Sequence, residues 1–193
     1  METLLNKIQQ CVLCKDVLPL GPNPVVQLSI HSKIIIIGQA PGKRVHETGI
    51  PWNDASGKKL RQWLDVDEAT FYNPDIFSIM PMGFCYPGKG KSGDLPPRFE
   101  CAPLWHPAIL KIFESNPLII LIGQYAQRSY LKKRYKQNLT ETVGNFREYL
   151  PAYFPLPHPS PRNQNWLKLN PWFAEEVLPE LREIIRQSIN PQQ

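Results

Sequence analysis

The chain has no long apolar run. Its longest, Ile34–Ile37 and Leu118–Ile122, are four and five residues, where a membrane-spanning helix needs about 20. A membrane role is therefore not expected. Residues Met1 to Gln10 mix Glu2, Asn6 and Lys7 with apolar side chains, which fits neither a signal peptide nor a span. Internal repeats are absent, which sets aside solenoids and propellers. Acidic charge is in deficit: 22 Lys and Arg stand against 17 Asp and Glu, a net charge of +5. That balance suits a polyanionic partner such as nucleic acid. Cysteine is scarce, at four in 193 residues. The expected compartment is the cytoplasm, where thiols stay reduced, so these four do not read as a disulfide framework.

Scarcity makes the cysteines informative. Cys11 and Cys14 form a C-x-x-C near the N-terminus, and Cys85 and Cys101 follow far downstream. A C-x-x-C offers two thiolates from one turn. The second pair would meet it in the fold. Four thiolates are the ligand set of tetrahedral zinc or of an iron–sulfur cluster, and spacing alone leaves both open.

Proline is abundant, at 21 residues, too many for a helical bundle. It punctuates short elements. Ile34–Ile37 and Leu118–Ile122 each run apolar throughout and end at a glycine, as strands buried on both faces do. Asp75–Met80 reads as a third strand. Tyr153–Pro157 reads as a fourth, at a sheet edge because of its prolines. Helices are predicted from Ser56 (as cap) through Leu64, over Pro103–Glu114, Gln124–Arg134 and Thr140–Leu150, and over Trp172–Ile189. Strands alternating with helices predict an α/β class, a three-layer α/β/α single domain over 1–193 with a central, mainly parallel four-stranded sheet and an N-terminal Cys-x-x-Cys arm. Gly83–Pro97 reads as a loop.

Open α/β sheets bind ligands outside the carboxyl ends of their strands. Two loops leave such ends: Gly38-Gln39-Ala40-Pro41-Gly42 and His158-Pro159-Ser160-Pro161-Arg162-Asn163. With the four cysteines, and in this order, they resemble the uracil-DNA glycosylase superfamily. The cysteine layout is similar to that of its iron–sulfur branches, families four and five. The resemblance implies a [4Fe–4S] cluster on Cys11, Cys14, Cys85 and Cys101, with zinc as the alternative. It implies a monomeric enzyme of base excision repair, hydrolysing the N-glycosidic bond of uracil or a related deaminated base in DNA. The other reading is a DNA- or nucleotide-binding protein on the same scaffold without that activity.

The resemblance also assigns roles. Gln39 and Ala40 lie in the first motif, whose backbone touches the extruded base. Gly49-Ile50-Pro51-Trp52 is similar to a stretch whose aromatic stacks on the base, which gives that part to Trp52. Asp54-Ala55-Ser56-Gly57 resembles a motif whose aspartate serves catalysis. His158 would face the base oxygen that gains charge. Ser160, Arg162 and Asn163 would contact DNA, with Lys89 and Lys91 as phosphate contacts.

These residue types suit the chemistry. Extruding a base costs a few kcal/mol, and stacking on an aromatic returns about 1–3 kcal/mol. As the bond breaks the sugar becomes cationic and the base anionic. A carboxylate at Asp54 would steady the cation or orient water. A donor at His158 would be worth roughly 3–4 kcal/mol. Each residue also has a plainer reading: Trp52 as core packing, Asp54 as a helix cap and His158 as a loop histidine. The basic cluster Lys132, Lys133, Arg134 and Lys136 reads either as a DNA-facing patch or as a solvated helix end.

The sequence departs from the family at three places. The first motif holds no acid. Gly42 stands where the best-known branch has a tyrosine that excludes thymine. Pro81 stands where iron–sulfur members place an asparagine that reads the base, so Ser78 is the candidate substitute.

Overall fold

The computed structural model describes residues 1–113 and 115–190. The centre is a parallel sheet of four strands: β1 (Ile34–Ile37), β2 (Phe77–Ile79), β5 (Leu118–Ile122) and β6 (Tyr153–Leu156), in the order β2-β1-β5-β6. Two further short strands, β3 (Lys89–Gly90) and β4 (Gly93–Asp94), form an antiparallel hairpin outside it. Every residue of β1 is fully buried. Its alternation divides the core in two. Ile34 and Ile36 face one apolar cluster, with α3 (Ala55–Leu64) and α9 (Leu178–Ile189). Ile35 and Ile37 face the other, with α1 (Glu2–Gln9), α5 (Cys101–Leu110) and α6 (Gly123–Leu131). This is the expected three-layer α/β/α class, and the period of two along one strand builds it.

β6 lies at an edge, where Pro155 removes a ladder donor. The other edge, β2, is covered by an upstream segment: Gln27 donates to the Ile79 carbonyl and accepts from its N–H.

Several predicted elements have different bounds. The helix expected from a Ser56 cap begins two residues earlier, at Ala55, and its cap is Asp54, whose carboxylate accepts from Gly57 N at 2.8 Å. The segment Thr140–Leu150 is two pieces, α7 (Leu139–Gly144) and a 3₁₀ turn, Phe146–Tyr149. Trp172–Ile189 opens with a wider π turn, Phe173–Val177, before α9. Gln124–Arg134 starts at Gly123 and closes in a 3₁₀ turn, because Lys132 adopts a positive φ of 51°. The helix expected over Pro103–Glu114 runs from Cys101 to Leu110, and Glu114 lies outside the described residues. Three short helices carry no periodic signal long enough to read: α2 (Lys43–Thr48), α4 (Glu68–Phe71) and α8 (Gln164–Leu169). Among the described residues no helix is long and apolar enough to cross a membrane.

Candidate active site

In a parallel sheet of this order the chain leaves β1 and β5 in opposite directions, which opens a crevice at their carboxyl ends. A cavity of about 410 Å³ lies there. The loop Gly38–Gly42 forms one wall, and Trp52 with Asp54 another. His158 with Ser160 and Arg162 closes a third side, and the β3–β4 hairpin brings Lys89, Gly93 and Asp94 to the rim.

Trp52 is in the left-handed region, with φ 56°. That conformation costs a non-glycine residue roughly 1–2 kcal/mol. Two contacts hold it there. The Tyr72 hydroxyl donates to the Pro51 carbonyl at 3.0 Å. The Trp52 carbonyl sits against Gly57, where an added Cβ would lie only 1.7 Å away. The indole packs on Gly38, whose own Cβ, were there one, would be 2.9 Å from the ring. The Trp52 and His158 ring centroids are 5.7 Å apart and tilted by 36°. At that separation no further ring fits between them.

Asp54 divides its two oxygens. Oδ1 accepts from Gly57 N. Oδ2 lies 3.9 Å from the point a Cβ on Gly42 would occupy, on the cavity side. His158 has its pKa lowered by burial, against the opposing pull of Asp54. It is therefore a neutral imidazole at pH 7, with one N–H to donate.

The remaining expected residues divide. Gln39, Ala40, Ser160 and Lys89 line the cavity. Gln39 also reaches the Leu95 carbonyl at 3.4 Å. Ser160 Oγ accepts from Arg162 N and caps the short turn Pro161–Asn163. Arg162 lines the cavity, yet its Nη1 donates to the Ser92 carbonyl at 2.7 Å, pinning the hairpin. Asn163 is turned inward and donates to the His158 carbonyl at 2.7 Å, so its side chain shapes the loop. Lys91 is exposed and does not line the cavity. Ser78 is a correction. It is fully buried, accepts from Ser29 N at 3.1 Å and pairs with Ser32 Oγ at 2.6 Å. Its place in β2 turns it toward the edge segment, and it does not line the cavity.

The cluster Lys132, Lys133, Arg134 and Lys136 does not reach the site. α6 starts at Gly123, beside His158, and its nine residues carry the chain about 13 Å back along the sheet. Arg134 donates to the Glu148 carbonyl and Lys136 pairs with the Glu148 carboxylate at 2.6 Å.

Two residues that sequence reading missed are central. Asp94 stands at the cavity rim. Its only sequence signal is an acid within a Gly- and Lys-rich loop. His106 is buried on α5. Its Nε2 lies 3.1 Å from the Pro81 carbonyl and its Nδ1 2.7 Å from the Tyr130 hydroxyl. A carbonyl only accepts, so Nε2 carries the proton and Tyr130 donates to Nδ1. Burial lowers the His106 pKa to about 4. His106 thus fixes Pro81, which lines the cavity.

The four cysteines line one narrow apolar cavity between the N-terminal arm and the loop before α5, with Phe84, Arg98 and Trp105. Phe84 N lies 3.3 Å from Cys101 Sγ. Burial raises the thiol pKa to about 11 at Cys85 and about 12 at Cys101. At neutral pH they are weak nucleophiles without a cation to draw off the protons. Among the described residues no three Cys, His, Asp or Glu side chains are gathered closely enough to hold one metal ion.

The model of the uracil DNA glycosylase superfamily matches residues 25–182. The chain belongs to that superfamily. The matched segment covers the sheet and every wall of the cavity, and begins after Cys11 and Cys14, so the arm stands outside it. Membership in the uracil DNA glycosylase superfamily supports a DNA glycosylase-like function for this cavity at the strand ends.

Proposed function

We propose that the protein is a DNA glycosylase of base excision repair that hydrolyses the N-glycosidic bond of uracil or another deaminated base. The observation that carries this is the meeting of Asp54, Trp52 and His158 around one cavity at the carboxyl ends of the strands. The extruded nucleotide enters between the Gly38–Gly42 loop and the His158 loop. Trp52 offers an apolar wall for the base. Neutral His158 donates to the base oxygen as negative charge grows there. Asp54 Oδ2 faces the sugar side, where it orients water and steadies the developing cation. Lys89 and Ser160 at the rim are placed to meet the phosphates.

Cys11, Cys14, Cys85 and Cys101 would hold a [4Fe–4S] cluster. Four thiols facing one apolar cavity support that set, with zinc as the alternative. Bound there, the cluster ties the arm to the loop before α5.

One observation favours a second reading, a binding protein without catalysis. Pro81 occupies the cavity wall where a base-reading amide would be, and proline has no donor. A panel of single- and double-stranded oligonucleotides carrying uracil, hypoxanthine or xanthine separates the two. Release of a free base with an abasic product is expected. Binding without any abasic product supports the second reading.

A further inference from the structure

A second carboxylate shares the cavity. Asp94 ends the β3–β4 hairpin. A Cβ built on Gly42 would lie 3.6 Å from Asp94 Oδ2 and 3.9 Å from Asp54 Oδ2. The two carboxylates therefore both border the space that a side chain at position 42 would take. Any larger residue at 42 would fill the gap. The hairpin that carries Asp94 is fixed in place. Arg162 holds the Ser92 carbonyl, and Leu95 N donates to the Gly88 carbonyl at 2.8 Å.

We propose that Asp94 is the general acid of the reaction, giving its proton to the leaving base while ionised Asp54 takes one from the attacking water. This rests on the glycosylase reading above and adds a role and a substrate class to it. In the step, the water oxygen bonds to C1′ as the C1′–N bond breaks, and the bonding pair leaves with the base. The Asp94 proton goes to a ring nitrogen of that base, and the water proton goes to Asp54. Exchange with solvent resets both acids.

The surroundings set the two acids apart. Burial raises the Asp94 pKa, and the Asp54 charge raises it further, whereas Arg162, Lys89 and the Tyr86 hydroxyl pull the other way. Those four groups are the titratable and charged neighbours that face it. Asp54 instead sits at a helix N-terminus and accepts from Gly57 N. Two carboxylates whose environments differ are how one site runs acid and base chemistry together.

A general acid matters most for a base that leaves poorly as an anion. Uracil spreads its charge onto an oxygen that His158 can reach. A deaminated purine gains more from protonation of a ring nitrogen. The class assigned to this pair is therefore the deaminated purines, hypoxanthine and xanthine.

The test is single-turnover excision by wild type, Asp94→Asn and Asp54→Asn on hypoxanthine- and uracil-containing strands, from pH 5 to 9. Asp94→Asn preserves shape, and a melting curve checks the fold. It is expected to lower hypoxanthine excision by about 10²-fold or more, to lower uracil excision less, and to abolish the alkaline fall of the wild-type profile. If Asp94→Asn excises hypoxanthine within twofold of wild type while Asp54→Asn is inactive, the role of Asp94 is wrong and the glycosylase reading stands. If wild type excises uracil alone, the purine assignment is wrong. If wild type releases no base from any strand, both fall together.

Discussion

Gly57→Ala is a small change that should disable the site. The new Cβ would sit 1.7 Å from the Trp52 carbonyl oxygen, 2.6 Å from its carbon and 2.8 Å from Trp52 Cβ. Non-bonded carbon contacts are best near 3.5–4.0 Å, so the Pro51–Asp54 segment must retreat by roughly 1.5–2 Å. That segment cannot retreat freely, because Tyr72 holds the Pro51 carbonyl and the Trp52 ring abuts Gly38. Overpacking of this kind costs about 1–3 kcal/mol. Some of the Asp54 cap, worth about 1 kcal/mol, goes with it. A displacement of about 1 Å at a reacting group can cost 10²-fold in rate, so excision should fall by at least that factor. The control is Gly144→Ala in α7, where the added Cβ meets only the Trp172 ring at an ordinary 3.7 Å. That variant should be neutral or up to about 1 kcal/mol more stable. Urea unfolding of both proteins, with single-turnover excision on the base wild type prefers, measures the contrast. Gly57→Ala with wild-type midpoint and rate would refute the reasoning that this glycine positions Trp52 and Asp54.

Three further outcomes are expected. The His106 pKa falls to about 4 in the fold from about 6.5 in the unfolded chain. Below pH 6.5 the unfolded chain binds the extra proton, so stability is full above that pH and declines as pH drops, by about 3 kcal/mol once pH 4 is reached. Urea midpoints at pH 7, 5.5 and 4.5 should fall in wild type and fall less in His106→Phe; equal slopes would count against the assignment. Asp54→Asn should retain the helix cap and stability within about 0.5 kcal/mol while losing excision about 10²-fold or more. Asp54→Ala should lose excision and about 1 kcal/mol of stability as well, and an active Asn variant would end the case for its charge. Finally, protein purified without oxygen should be brown, with iron and sulfide, and Cys101→Ser should bleach it; colourless wild type with one zinc would assign the site to zinc.

The sheet was legible because its strands are unusual at the residue level. Ile34–Ile37 is apolar on both faces, and only a strand covered by helices on both sides accommodates that. The two strand-end loops were legible for the same reason, since they follow directly from those strands. What hid was set by distance in sequence. Asp94 faces Asp54 only because a hairpin folds over the cavity, and no periodicity marks a two-residue strand. His106 looked like any helical residue until its ring met the Pro81 carbonyl. Ser78 was misassigned because a short, mostly apolar stretch such as Asp75–Met80 does not say which face of an edge strand is covered. Lys132 and Lys133 read as DNA-facing candidates because sequence does not reveal which end of a helix lies near a site.

The divided carboxylate of Asp54 has a consequence for what this position tolerates. Asparagine, serine and threonine can end a helix, and glutamate can carry the charge. Aspartate is the one residue that meets both demands with a single side-chain reach. The bond to Gly57 also removes the rotation that would let the free oxygen wander. Under the proposed reaction, every substitution at Asp54 therefore gives up the cap, the charge or the reach.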